Sequence, residues 1–151
     1  MALNVLIGFI LPWLTVGLYL LKKDIRILVL MFPVGAMVSF ATNLFGFHFE
    51  LWNMKPFMNE EAYAALPYNF GTFPLLGCLM LHLIDRTRLH PIFWLIACSL
   101  CKTGLEGISV WVGRVTYDNG WNIGWTFVSY LAANLIGYAY FHLLRRVIVV
   151  K

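Results

Sequence analysis

Lys102 and Glu106 stand four residues apart inside HPIFWLIACSLCKTGLEGISVWVG, residues 90–113, a stretch apolar and long enough to cross a bilayer. A charge held at that depth costs between ~2.5 and more than ~10 kcal/mol, so it must face protein, water or a partner. At i,i+4 on a helix the two side chains share a face and can reach each other. Burial disfavours a carboxylate while a nearby ammonium favours it, so such a pair can act as a buried site or as a proton relay through Glu106. The plainer alternative is an internal ion pair that fixes helix register.

Other polar side chains fall at comparable depth when helical rise is counted at ~1.5 Å per residue. Asn43, Tyr130 and Asn134 can join Lys102 and Glu106 in one polar layer, with Ser99, Thr103 and Ser109 adding hydroxyls on the same helix. Asparagines inside a bundle also serve as interhelical glue with no chemistry of their own.

Three further groups have suggestive spacing. Cys98 and Cys101 form a CxxC, with Cys78 at similar depth. A redox CxxC needs a helix N-terminus and access, and this one is mid-span, which favours packing. His82, His90 and His142 gather at one set of span ends, as a haem or metal site would require, but match no helix ligand motif. Interfacial anchoring is the more usual role of such histidines. Asp85 with His82 and His90 is the best candidate set for a lipid-active enzyme, and no Gly-rich phosphate loop or ordered Ser/His/Asp set stands out. His48 beside Glu50 reads as a solvated loop residue.

These residues need membrane-spanning helices to hold them. Of the 151 residues 61% are hydrophobic and 12% charged, with a mean hydropathy of +0.77; soluble domains carry about 25% charged residues. Five apolar runs, 3–21, 25–47, 66–84, 91–113 and 121–144, predict an all-α integral membrane bundle, one transmembrane domain over 1–151. Pro67, Gly71 and Pro74 predict a bend at the start of the third. Residues 2–21 read as an anchor rather than a cleaved leader, since Lys22 and Lys23 follow the apolar run.

Lys22, Lys23, Arg26, Arg86, Arg88, Arg145, Arg146 and Lys151 all fall on one set of loops; the other set holds Lys55 and Arg114 beside Glu50, Glu60, Glu61 and Asp118. Positive-inside reasoning therefore puts the N-terminus out and the C-terminus in. The connection 49–65, with Trp52, Phe57 and Tyr63, is expected to lie along the outer interface as a short helix or re-entrant piece. Trp52, Tyr68, Trp111, Tyr117, Trp121 and Trp125 should form an outer aromatic belt, with Trp94 an inner anchor. The net charge of +4 sits at helix ends and makes no continuous basic face, which excludes nucleic acid as a partner. Gly35/Ser39, Gly120/Gly124 and Ala133/Gly137, with Gly104 and Gly107 flanking Glu106, offer small-xxx-small contacts within the chain or in a homo-oligomer.

Lys23-Asp24-Ile25-Arg26 at the head of the second run, the aromatic-rich loop ending at Pro67, the basic loop before the fourth run, Glu106, and Tyr117 with Trp121 together resemble a family of small multi-pass membrane proteins of spore-forming Firmicutes. The resemblance spans about residues 22–146. It implies a bacterial plasma membrane and about five helices, and it brings no activity, cofactor or catalytic residue. Within that family Glu106 is more expected than Lys102. The functional expectation is a polar site at Lys102/Glu106 that binds or passes a small polar solute, ion or proton; a structural or accessory subunit is the alternative, and a lipid-active enzyme the third.

Overall fold

A computed structural model describes residues 1–56 and 62–147; Phe57, Glu60, Glu61 and Lys151 lie outside the described residues. Five helices are long and apolar enough to cross a membrane: Ala2–Lys23, Ile25–His48, Ala62–Arg86, Pro91–Trp111 and Ile123–Val147. We label Ala2–Lys23 α1 and Ile25–His48 α2. The third span is two helices, α3 (Ala62–Asn69) and α4 (Thr72–Arg86), and α5 (Pro91–Trp111) and α6 (Ile123–Val147) complete the bundle. Their outward faces carry large apolar side chains, with Val29, Met37, Leu14 and Ile108 all more than half exposed. That surface fits a multi-pass membrane protein.

The proline-rich start of the third span breaks where expected. Gly71 caps the start of α4 with φ −134° and ψ −92°, neither helical nor extended, and a Cβ there would come within 2.7 Å of Phe9 Cα. The missing side chain lets α1 lie directly on the break. α1 answers with two π-type stretches, Leu6–Ile10 and Trp13–Gly17. Widening a helix frees carbonyls and needs neighbours to take them up. Here Thr72 Oγ1 donates to Gly8 O at 3.1 Å; in the other direction Trp13 Nε1 of α1 donates to Phe70 O, just after α3, at 3.0 Å.

One expectation needs correction. The connection after α2 is not a helical interfacial piece in its described part. Trp52–Met54 forms a strand, β1, paired antiparallel with β2, Val115–Tyr117, and Ala62–Ala65 already belong to α3. Asn4 ties this end together from inside: its amide donates to Lys55 O at 3.0 Å and Ala64 O at 2.9 Å, and Arg114 donates to its oxygen at 2.6 Å. Trp52 leaves the expected belt and is buried over Gly46, against Trp121 at 4.9 Å between ring centroids, whereas Trp111 and Trp125 stay exposed.

At the opposite end Asp24 caps α2 by accepting from Ile27 N at 3.4 Å, and its other oxygen meets His82 Nδ1 at 3.1 Å and Arg86 at 3.8 Å. The apolar core, including Leu20, Leu28, Met31, Leu75, Leu81 and Leu95, fills the bundle between α1, α2, α4 and α5. Towards the strand end that packing opens into a cavity.

Candidate functional site

The cavity has a volume of about 90 Å³, well above the ~10–15 Å³ that one water needs. α2, α4, α5 and α6 wall it, and Trp52, Met54, Val115 and Trp121 close its strand end. Most of the wall is apolar. Its polar side chains fall into three clusters.

The first holds the cation. Lys102 is 4% exposed and donates to Asn134 Oδ1 at 2.8 Å; Asn134 Nδ2 donates to Ser99 Oγ at 2.9 Å, and Ser99 Oγ donates to Leu95 O. Lys102 and Ser99 sit three apart on α5, and Asn134 reaches across from α6, so one asparagine fastens both helices. The Lys102 ammonium also lies 6.0 Å from the centre of the Tyr130 ring.

The second holds the anion. Tyr117 OH donates to Glu106 Oε1 at 2.7 Å and Thr126 Oγ1 lies 3.2 Å from the same oxygen, while Tyr130 OH donates to Oε2. Trp121 Nε1 donates to Thr126 Oγ1 at 2.9 Å, and that hydroxyl is also 2.9 Å from Tyr117 OH. Burial first, and then the Glu106 carboxylate, hold the Tyr117 hydroxyl well above the ordinary tyrosine range, against a smaller opposing effect of Thr126. Tyr117 therefore remains a proton donor to Glu106 through neutral pH.

The third cluster lies on the α2 side. Asn43 Nδ2 and Ser39 Oγ both donate to Asn69 Oδ1, at 2.6 and 2.7 Å. Asn69 is fully buried, and its Nδ2 has no hydrogen-bond partner among the described residues.

The i,i+4 spacing thus misleads on one point. Lys102 and Glu106 form no ion pair with each other. Asn134 from α6 holds the ammonium, and hydroxyls from β2 and α6 hold the carboxylate. Yet Lys102, Glu106, Asn43, Tyr130 and Asn134 all line the same cavity. Ser99 supports from behind, and Thr103 turns back on its own helix, donating to Ser99 O at 2.8 Å. Ser109 does likewise to Leu105 O at 3.0 Å. Tyr117, Thr126, Trp121, Ser39 and Asn69 join the site beyond the residues their spacing marks. Asn69 was legible as an amide within an apolar run, and the others needed the fold to bring them in.

The remaining candidates disperse. His82 bonds Asp24, His90 accepts from Ile92 N at 3.4 Å at the start of α5, and His142 meets Tyr138 edge to face. Asp85 pairs with Arg145 rather than with either histidine. Among the described residues no three His, Cys, Asp or Glu side chains converge as metal ligands would. Cys98 donates weakly to Leu76 O at 3.6 Å, Cys101 is exposed, and both are free thiols, as is buried Cys78. Of the small-residue pairs, Gly35 packs on Pro74 with Ser39 bonded beside it, Gly120 is a turn residue before α6, and Ala133 and Gly137 line the cavity. Compared with protein-family models, curated proteins and solved structures, the chain matches none.

Proposed function

We propose that the chain is a multi-pass membrane protein whose interior cavity binds or passes a small polar solute, ion or proton, with Lys102 and Glu106 as its charged contacts. The observation that carries this reading is that two opposite charges line one cavity without neutralising each other. An ammonium has three N–H donors, and among the described residues Lys102 spends one, on Asn134. A solute that brings an acceptor oxygen to the others offsets part of the cost of burying that charge. The Glu106 end then selects for a donor or a cation. Trp52 and Trp121 cover the strand end, so entry from that side requires them to move.

We take the basic end as the cytoplasmic one on the positive-inside rule, with the N-terminus out and the C-terminus in. The resemblance to membrane proteins of spore-forming Firmicutes is consistent with a bacterial plasma membrane. A homo-oligomer belongs to the same reading, through the α5 face at Gly104, where a Cβ would meet no other element within 4 Å among the described residues. One observation favours the accessory-subunit alternative: Glu106 already holds three hydroxyls and is satisfied without a ligand.

The test compares Glu106→Gln and Lys102→Met with the native chain. Melting temperature is read in detergent with alkali cations, simple amines and small amino acids, and proton flux is read in liposomes. The proposal expects a solute that stabilises the native chain and neither variant, or a flux that either substitution abolishes. Folded variants with unchanged responses and lost assembly would instead establish the accessory role.

A further inference from the structure

A second pocket lies at the basic end of the bundle, about 380 Å³ in volume, between the start of α2 and the ends of α4 and α6. Four cations line it: Lys23, Arg26, Arg86 and Arg145. Two carboxylates lie among them, but both are engaged. Asp24 is taken up by Ile27 N, His82 and Arg86, and Asp85 by Arg145. Among the described lining residues four cations thus stand against two carboxylates, and the α2 N-terminus adds its partial positive charge to the same space. Arg86 and Arg145 keep 62% and 48% of their side-chain surface open even while paired.

The other lining is apolar. Leu30, Leu144 and Phe141 lie below the cations, and Val29 and Leu143 beside them are more than half exposed on the helix faces that meet lipid. A ligand that fits needs a negatively charged, multi-acceptor head and an oily remainder. From this geometry we infer that the pocket binds the phosphate of an anionic phospholipid headgroup, with guanidinium groups as forked donors and the acyl chains running down the α2 and α6 surfaces. Basic pockets between membrane helices suit such headgroups, and guanidinium matches phosphate geometry. A soluble phosphate shares the headgroup chemistry but leaves the apolar part unused.

The experiment uses the full chain purified in a neutral detergent. Thermal stabilisation and native mass spectrometry are followed on adding phosphatidylglycerol, phosphatidylcholine or glycerol 1-phosphate. Lys23→Gln/Arg145→Gln removes two pocket cations; Lys22→Gln/Arg88→Gln removes the same charge outside the pocket. Arg145→Lys keeps the charge if the Asp85 pair proves essential for folding. Phosphatidylglycerol is expected to bind in preference to phosphatidylcholine, about thirtyfold more weakly to the pocket double variant, and within about twofold of native to the other. Equal losses in both double variants, or no preference for the anionic lipid, would overturn the site. Glycerol 1-phosphate binding as tightly as the lipid would overturn the lipid as its occupant.

Discussion

Replacing Asn134 by Leu tests the way Lys102 is held. Asn134 is 3% exposed and makes the 2.8 Å contact to the Lys102 ammonium. Leu preserves the bulk and removes that contact, leaving a buried ammonium without its protein partner. The lost charge-assisted bond is worth ~1.5–3 kcal/mol and the stranded ion adds to it, so a destabilisation of ~2–4 kcal/mol is expected. Lys102→Met does the reverse: it removes the buried ion at nearly constant volume and orphans only the Asn134 carbonyl, a change of ~1 kcal/mol or less. The double substitution leaves neither orphan and should recover most of what Asn134→Leu alone loses. Equilibrium unfolding in mixed micelles, followed by tryptophan fluorescence, measures all three. If Lys102→Met costs as much as Asn134→Leu, and the double variant costs their sum, Lys102 is anchored elsewhere and the reasoning fails.

Three further outcomes follow from the same geometry. Tyr130→Phe keeps the ring beside Phe73 but removes one hydroxyl from Glu106, and should cost ~1–2 kcal/mol in the same unfolding assay. Gly71→Ala drives a methyl into the α1 backbone and should lower stability by ~3 kcal/mol or more, whereas Gly77→Ala, with open space around it, should stay within ~1 kcal/mol. Alkaline unfolding should depend on Tyr117: its folded-state value is raised by burial and Glu106, so its contribution is intact below about pH 10 and declines as pH rises further. A Tyr117→Phe chain should lose stability less steeply above that pH.

The five spans were readable because each apolar run is long enough to announce itself, and the bend at Pro67–Pro74 because proline and glycine act locally. β1 and β2 were not readable: three-residue strands more than sixty positions apart carry no periodicity, and Trp52 looked like any interfacial tryptophan. The π-type stretches of α1 were equally hidden, since they follow from the fit of Gly8 against Gly71 and Thr72. Lys102, Glu106, Asn43, Tyr130 and Asn134 were readable as a group because polar side chains in oil must find one another. Their pairing was not. A helix turn brings Lys102 and Glu106 within reach, but Asn134, Tyr117, Thr126 and Tyr130 offer each of them a partner without a direct ion pair.

A high-resolution density map of the chain, extracted with its native contents, tests the central claim most directly. The account predicts Lys102 on Asn134, Glu106 on its tyrosine and threonine hydroxyls, and non-protein density in the cavity between them. A direct Lys102–Glu106 ion pair across a collapsed, dry interior would contradict it.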